Sequence, residues 1–168
     1  MNSIHPFLDG KPKKLMIGGR WVDAASGETF ETLNPVNGKV LAQIAMGDAA
    51  DVDRAVAAAR AAFEGAWRKV KPFERQAMIL RLAELIEKNF EELSLLDTLE
   101  MGAPMKRAIG NRQRALGLLR YYAGQAVSIR GDTLDNSLPG EFLSYTLKEP
   151  VGVVAAITPW NGPTVGTL

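Results

Sequence analysis

Cysteine is absent from the 168 residues. That excludes a disulfide framework, a thiolate zinc site and a cysteine nucleophile supplied by this chain. Histidine occurs once, as His5, in a polar N-terminal stretch expected to be mobile, so a Ser-His-Asp triad or a multi-histidine metal centre has no material to be built from. No metal site is expected. Excess charge of one sign is missing as well: twenty Lys and Arg face nineteen Asp and Glu, for a net charge of +1. No global field gathers phosphates or anionic lipid, and nucleic acid is not an expected partner. Long apolar runs are also lacking. The longest, Val151 to Ile157, is far too short to span a bilayer, and the opening MNSIHPFLDGKPKKLM contains no secretory-type apolar segment. The expectation is a cytoplasmic protein with no membrane partner. GxGxxG, P-loop and HExxH patterns do not occur.

What is present is an ordinary globular composition, 46% hydrophobic and 23% charged, in a chain long enough to bury roughly 70% of its unfolded surface. Between Leu15 and Ala45 the signals are short strands and tight turns. Asn34-Pro35-Val36-Asn37-Gly38 separates the runs Thr29 to Leu33 and Val40 to Ile44, and its turn chemistry predicts an antiparallel pair. Asp48 then opens a helix whose apolar stripe is Val52, Val56, Ala59, Phe63 and Trp67. A second helix starts near Pro72 and runs to Ile86, with Asn89 as its end. A third runs from Phe90 to a stop at Gly102, and a fourth from about Met105 to about Ala126. The fourth carries Lys106, Arg107, Arg112, Arg114 and Arg120 with no acidic residue of its own to balance them. A solvated or intersubunit face and an anion site are both open readings.

After Gly131 the period changes. Leu143, Tyr145 and Leu147 alternate with Ser144, Thr146 and Lys148, as in a half-exposed strand. Val151 to Ile157 is apolar on both faces, which is how a parallel strand covered by helices on each side reads. Such a strand needs neighbours on both edges, and a parallel neighbour needs a crossover of a dozen or more residues. The sheet it belongs to is incomplete in this chain. In α/β folds ligands bind beyond the carboxyl ends of the strands. That end is Thr158-Pro159-Trp160-Asn161-Gly162-Pro163, where Trp160 is a flat apolar wall and Asn161 a neutral amide donor; a purely structural turn with a core tryptophan fits the same residues.

The ordered set Ile17-Gly18-Gly19-x-Trp21, Asn34-Pro35, Asp51-Val52-Asp53 with an alanine-rich helix ending at Phe63, Arg120-Tyr121-Tyr122-Ala123-Gly124, Glu149-Pro150-Val151-Gly152-Val153 and Pro159-Trp160-Asn161 resembles the NAD(P)-dependent aldehyde dehydrogenase superfamily. The likeness runs from about Leu15 to the last residue. It implies an α/β fold, the N-terminal part of a Rossmann-type cofactor domain with a β-hairpin entry and a helical layer. Its divisions are a polar extension at 1–14, the cofactor-domain portion at 15–131, an oligomerisation β-arm at 132–150, and the first central strand with the Pro-Trp-Asn turn at 151–168.

The same resemblance implies that Ile157, Thr158, Pro159 and Trp160 line an NAD or NADP cofactor, and that Asn161 donates its side-chain N–H to an oxyanion. In that chemistry a thiolate adds to an aldehyde, and a preoriented donor stabilises the charge that builds on the former carbonyl oxygen. The family's nucleophilic cysteine, its general-base glutamate and its adenosine-ribose lysine lie downstream of that motif, beyond Leu168. The residue after Asn161 is often a bulky aromatic in this family and is Gly162 here, which implies a wider substrate tunnel. Counting back from Arg120-Tyr121-Tyr122 puts Arg114 at the same tunnel, where it would suit an anionic aldehyde. The implied partners are an aldehyde substrate and further copies in a homodimer or homotetramer. A short, non-catalytic relative acting as an interaction or assembly module is the alternative.

Overall fold

The computed structural model describes residues 5–168. Residues 1–4 of the polar extension lie outside the described residues. Strands β1 (Leu15–Ile17) and β2 (Arg20–Val22) pair antiparallel across Gly18-Gly19, and β3 (Thr29–Leu33) and β4 (Val40–Ala45) pair antiparallel with Thr29 opposite Ala45. The turn between β3 and β4 closes because the Asn34 side chain accepts from the Val36 N–H at 2.9 Å, as an Asx turn requires.

Helix α1 (Ala49–Glu64) begins in a capping box in which Asp48 accepts from the Ala50 and Asp51 N–H groups. The buried Asp51 carboxylate accepts from the Asp48 N–H, from Arg54 and, through both oxygens, from the Ala25 N–H at 3.1 and 3.0 Å. One side chain thereby fixes the helix start and ties it to the strands before it. Gly65 ends α1, and a single turn, α2 (Ala66–Lys69), carries Trp67. Helix α3 (Pro72–Lys88) has Pro72 at its first position, and α4 (Phe90–Met101) ends at Gly102 with φ of 70°. A Cβ there would also sit 3.1 Å from Pro35 Cγ, so backbone and space both favour glycine.

The fourth predicted helix is two, α5 (Met105–Gly110) and α6 (Arg112–Gln125). Gly110 and Asn111, both poor helix formers, mark the break. Helix α6 packs along α3, and the core lies between them: Ala83, Leu116 and Leu119, with Ile79, Ile86 and Leu168 against them. Glu87 of α3 accepts from Arg112 at 3.3 Å and from Arg120 at 3.0 Å. The cations of the fourth helix are therefore not all unbalanced. Their acid stands one helix away, at a sequence distance that local charge patterning does not survey.

His5 departs from the expected mobile tail. It is 1% exposed, its Nδ1 accepts from the Phe7 N–H at 3.0 Å, and its Nε2 donates to the Glu92 carbonyl at 3.0 Å. Acceptance at Nδ1 fixes the tautomer with the proton on Nε2.

Beyond α6 the structure thins. Strands β5 (Thr133–Leu134) and β6 (Ser144–Tyr145) form a short antiparallel pair, held close where a Cβ on Gly131 would lie 1.7 Å from the Thr146 carbonyl oxygen. Here Ser144 and Thr146 are half-buried while Leu143, Tyr145 and Leu147 are exposed, the reverse of the burial that alternation ordinarily produces. The run Val151 to Ile157 forms no strand; Val151 is 95% and Ile157 100% exposed. A strand needs an edge to pair with, and among the described residues this run pairs with none. The sheets present are three separate two-stranded pairs. The chain exposes 12731 Å², against about 8,100 Å² for a compact monomer of its mass.

Leu116, 0% exposed at the centre of the α3–α6 contact, sets the stability of what is folded. Leu116→Ala is expected to lower unfolding free energy by about 2–5 kcal/mol, read as a lower urea midpoint with an unchanged slope.

Candidate active site

The Pro-Trp-Asn turn leads into a single helical turn, α7 (Pro163–Gly166). Pro163 supplies a preset φ and lacks the N–H that a first helical residue leaves unpaired. Two contacts seat this segment. The Thr164 hydroxyl donates to the Asp97 carboxylate of α4 at 2.8 Å, and Leu168 rests on the α3–α6 core. The turn is thereby placed over the junction of α4, α5 and α6, enclosing an open cavity of about 310 Å³.

Asp97, Arg107, Asn111, Arg114, Asn161 and Gly162 all line this cavity. Of the residues singled out in the sequence, Asn161, Gly162, Arg114 and Pro159 meet there, whereas Ile157, Thr158 and Trp160 do not line it. Gly162 leaves the wall beside Asn161 without a side chain. Arg107 was named only among the cations of the fourth helix, and Asn111 and Asp97 were not singled out. The first two had a positional signal: Arg107, Asn111 and Arg114 are spaced four and three apart, which puts them on one side of consecutive helical turns. Asp97 had none, because its partner Thr164 lies 67 residues away.

The cavity is electrostatically uneven. Among the described residues, Arg107 and Arg114 form no ion pair within 4 Å, while Arg112 and Arg120 share Glu87. The one acid at the cavity is Asp97. Burial raises its carboxyl above the ordinary carboxylate value, and the hydrogen bond from the Thr164 hydroxyl offsets part of that rise. Two guanidinium groups thus outweigh one half-buried carboxyl, and an anionic ligand group would be attracted.

A nicotinamide dinucleotide is not enclosed by this chain. Ile157 to Trp160 form an exposed ridge, with Trp160 82% exposed, and no glycine-rich phosphate cradle occurs in the sequence. Among the described residues, no cluster of His, Asp or Glu could hold a metal ion.

The sequence profile of the Aldehyde dehydrogenase family matches residues 21–167. The chain belongs to the aldehyde dehydrogenase family. Among its relatives, aldehyde dehydrogenase family 2 member B4, mitochondrial, from Arabidopsis thaliana is 44% identical over 162 residues, covering 95% of this chain and 30% of the relative. Benzaldehyde dehydrogenase, mitochondrial, from Antirrhinum majus is 46% identical over 164 residues, covering 96% and 30%. Among solved structures, the NAD+ complex of aldehyde dehydrogenase from Bacillus cereus superposes with a TM-score of 0.91 at 42% identity, covering 96% of this chain and 33% of that one. Indole-3-acetaldehyde dehydrogenase from P. syringae, in complex with NAD+ and IAA, gives a TM-score of 0.85 at 41% identity, covering 92% and 31%. This aldehyde dehydrogenase chain therefore spans about a third of the length of the relatives it matches, and it corresponds to their N-terminal portion. The family is NAD(P)-dependent. Among the described residues, no helix is long and apolar enough to cross a membrane.

The raised Asp97 pKa has a definite sign in stability. A carboxyl that is easier to protonate in the folded chain contributes stability that is present below its unfolded value and is lost as pH rises through the folded value. Asp97→Asn cannot ionise, so its stability relative to the parent chain is expected to improve as pH rises from 4 to 7. Urea midpoints at both values check this; a difference that is constant or reversed contradicts it.

Proposed function

We propose that this chain is the N-terminal portion of an NAD(P)-dependent aldehyde dehydrogenase that converts an aldehyde to a carboxylic acid, with Asn161 donating a hydrogen bond to the oxygen that becomes negative as a nucleophile adds to the carbonyl. The observation that carries this is the convergence of Asn161, Gly162 and Arg114 on one cavity. A carbonyl entering that cavity meets a neutral amide donor on the turn. Such a donor keeps its proton at every working pH, and its strength as a catalyst lies in being fixed before the charge develops. The nucleophile is not in this chain, which has no cysteine; it belongs to the part of the protein represented in the relatives and not here. The large exposed area supports the same reading, since a fold missing most of its sheet leaves apolar surface uncovered.

In the complete protein, the exposed ridge Ile157 to Trp160 is one wall of an NAD or NADP site. The exposed Leu143, Tyr145 and Leu147 of 132–150 are the face that a second copy covers in a homodimer or homotetramer. Arg114, without an ion pair among the described residues, faces the distal end of an anionic aldehyde, and Gly162 leaves room for it. The proposed compartment is the cytoplasm. A non-catalytic assembly module is the second reading, favoured by the missing thiol together with the exposed apolar arm.

The intact mass of the polypeptide from its native source separates the two, since the chain itself weighs 18.2 kDa. A much larger mass is expected, and a mass of 18.2 kDa favours the module. In the larger protein, Asn161→Ala is expected to lower kcat about 10²–10³-fold, and an unchanged kcat removes the oxyanion role. Arg114→Leu is expected to lower kcat/KM for carboxylated aldehydes about tenfold while leaving neutral ones unaffected. Equal losses on both substrate classes rule out the anion contact.

A further inference from the structure

We propose that Asp97 is a positioning residue for the turn that carries Asn161, acting through Thr164 and independently of the strand that precedes the turn. Its catalytic meaning rests on the reading of Asn161 given above; the mechanical claim does not. The turn has two sides from which it could be held. On the upstream side, Val154 to Ile157 is exposed and, among the described residues, Val151 to Ile157 makes no ladder hydrogen bonds, so no sheet holds Asn161 from that side. On the downstream side, α7 has no side-chain cap of its own, because its N-cap residue is Gly162. Asp97 supplies an anchor from another element. It receives the Thr164 hydroxyl at 2.8 Å, in the first turn of α7.

Thr164 stands three residues after Asn161, and Pro159 and Thr158 fold back against Gly166, within 3.7 Å of the point where a Cβ on that glycine would lie. Holding Thr164 therefore holds the whole Thr158 to Gly166 loop. The anchor itself is rigid: Asp97 sits in mid-helix one turn after Ser94, which is buried. Half-burying a carboxylate costs stability, and here the carboxyl serves a single loop and no cation, since no ion pair to Asp97 exists among the described residues.

The test is amide hydrogen exchange and side-chain amide NMR on the full 168-residue chain, in which the Gly166 N–H bonded to the Gly162 carbonyl at 2.8 Å reports seating of the turn. Thr164→Val, which keeps the shape and loses the donor, is expected to lower Gly166 protection about tenfold and to move the Asn161 side-chain amide resonances. Thr164→Ser restores both. Asp97→Ala matches the loss in Thr164→Val, and the double variant adds nothing to either, as expected when one bond is removed from its two ends. Amides of α3 and α6 keep their protection throughout. Full Gly166 protection in Thr164→Val, failure of Thr164→Ser to restore it, additive losses in the double variant, or parallel loosening of α3 and α6 would each overturn the proposal. No aldehyde or nucleotide enters these spectra, so the result is independent of whether Asn161→Ala changes turnover.

Discussion

Packing of α6 against α3 is the contact on which the folded part of the chain depends. Leu116 and Leu119 close on Ala83, small enough to let the helices approach, and Ile79 and Ile86 extend the seam by a turn on each side. Glu87 fastens its edge by bridging Arg112 and Arg120. These ion pairs are half-exposed and contribute little on their own, so the seam is held mainly by burial. Leu168, from the far end of the chain, rests on the same seam and seats α7 there. The site is thus an outgrowth of a helix pair, and the two guanidinium groups that line it stand on α5 and α6, the elements at the end of that pair.

Much of the remaining apolar patterning lies at the surface. Val52 and Val56 of the α1 stripe, Val151, Val154 and Ile157, and Leu143, Tyr145 and Leu147 are apolar and exposed. The helix stripe repeats every 3.6 residues and the 143–147 stretch every two, both periods suited to burial. Hydrophobic burial scales with area removed from water; where no second surface arrives, the pattern is present and its stabilisation is not. This is why helices form here and the central strand does not. A helix satisfies its backbone within itself, whereas a strand must find another strand to do so.

Much of this architecture was readable in advance. Asp48, Pro72, Gly102 and the Asn34 to Gly38 turn act through atoms a few residues apart, and the elements they delimit form where that chemistry puts them. The site was readable in part. Asn161, Gly162 and Arg114 followed from a family resemblance, and the structure brings them to one cavity. Asp97 was not readable, nor the burial of His5, nor the service of Glu87 to two arginines, because in each the partners are 25 to 87 residues apart in the chain.

By itself the sequence determined the caps, turns and amphipathic stripes, the absence of a thiol nucleophile, and the order of motifs that marks the aldehyde dehydrogenase family. Those depend on short-range sterics, hydrogen bonding and composition, which the linear order carries in full. Tertiary structure alone decided which acid neutralises which base, which arginines remain free for a ligand, and what holds the Asn161 turn in place. These are matters of proximity between helices. Charge pairing and side-chain anchoring act over a few ångströms of space, and that spacing exists only once α3, α4 and α6 have packed.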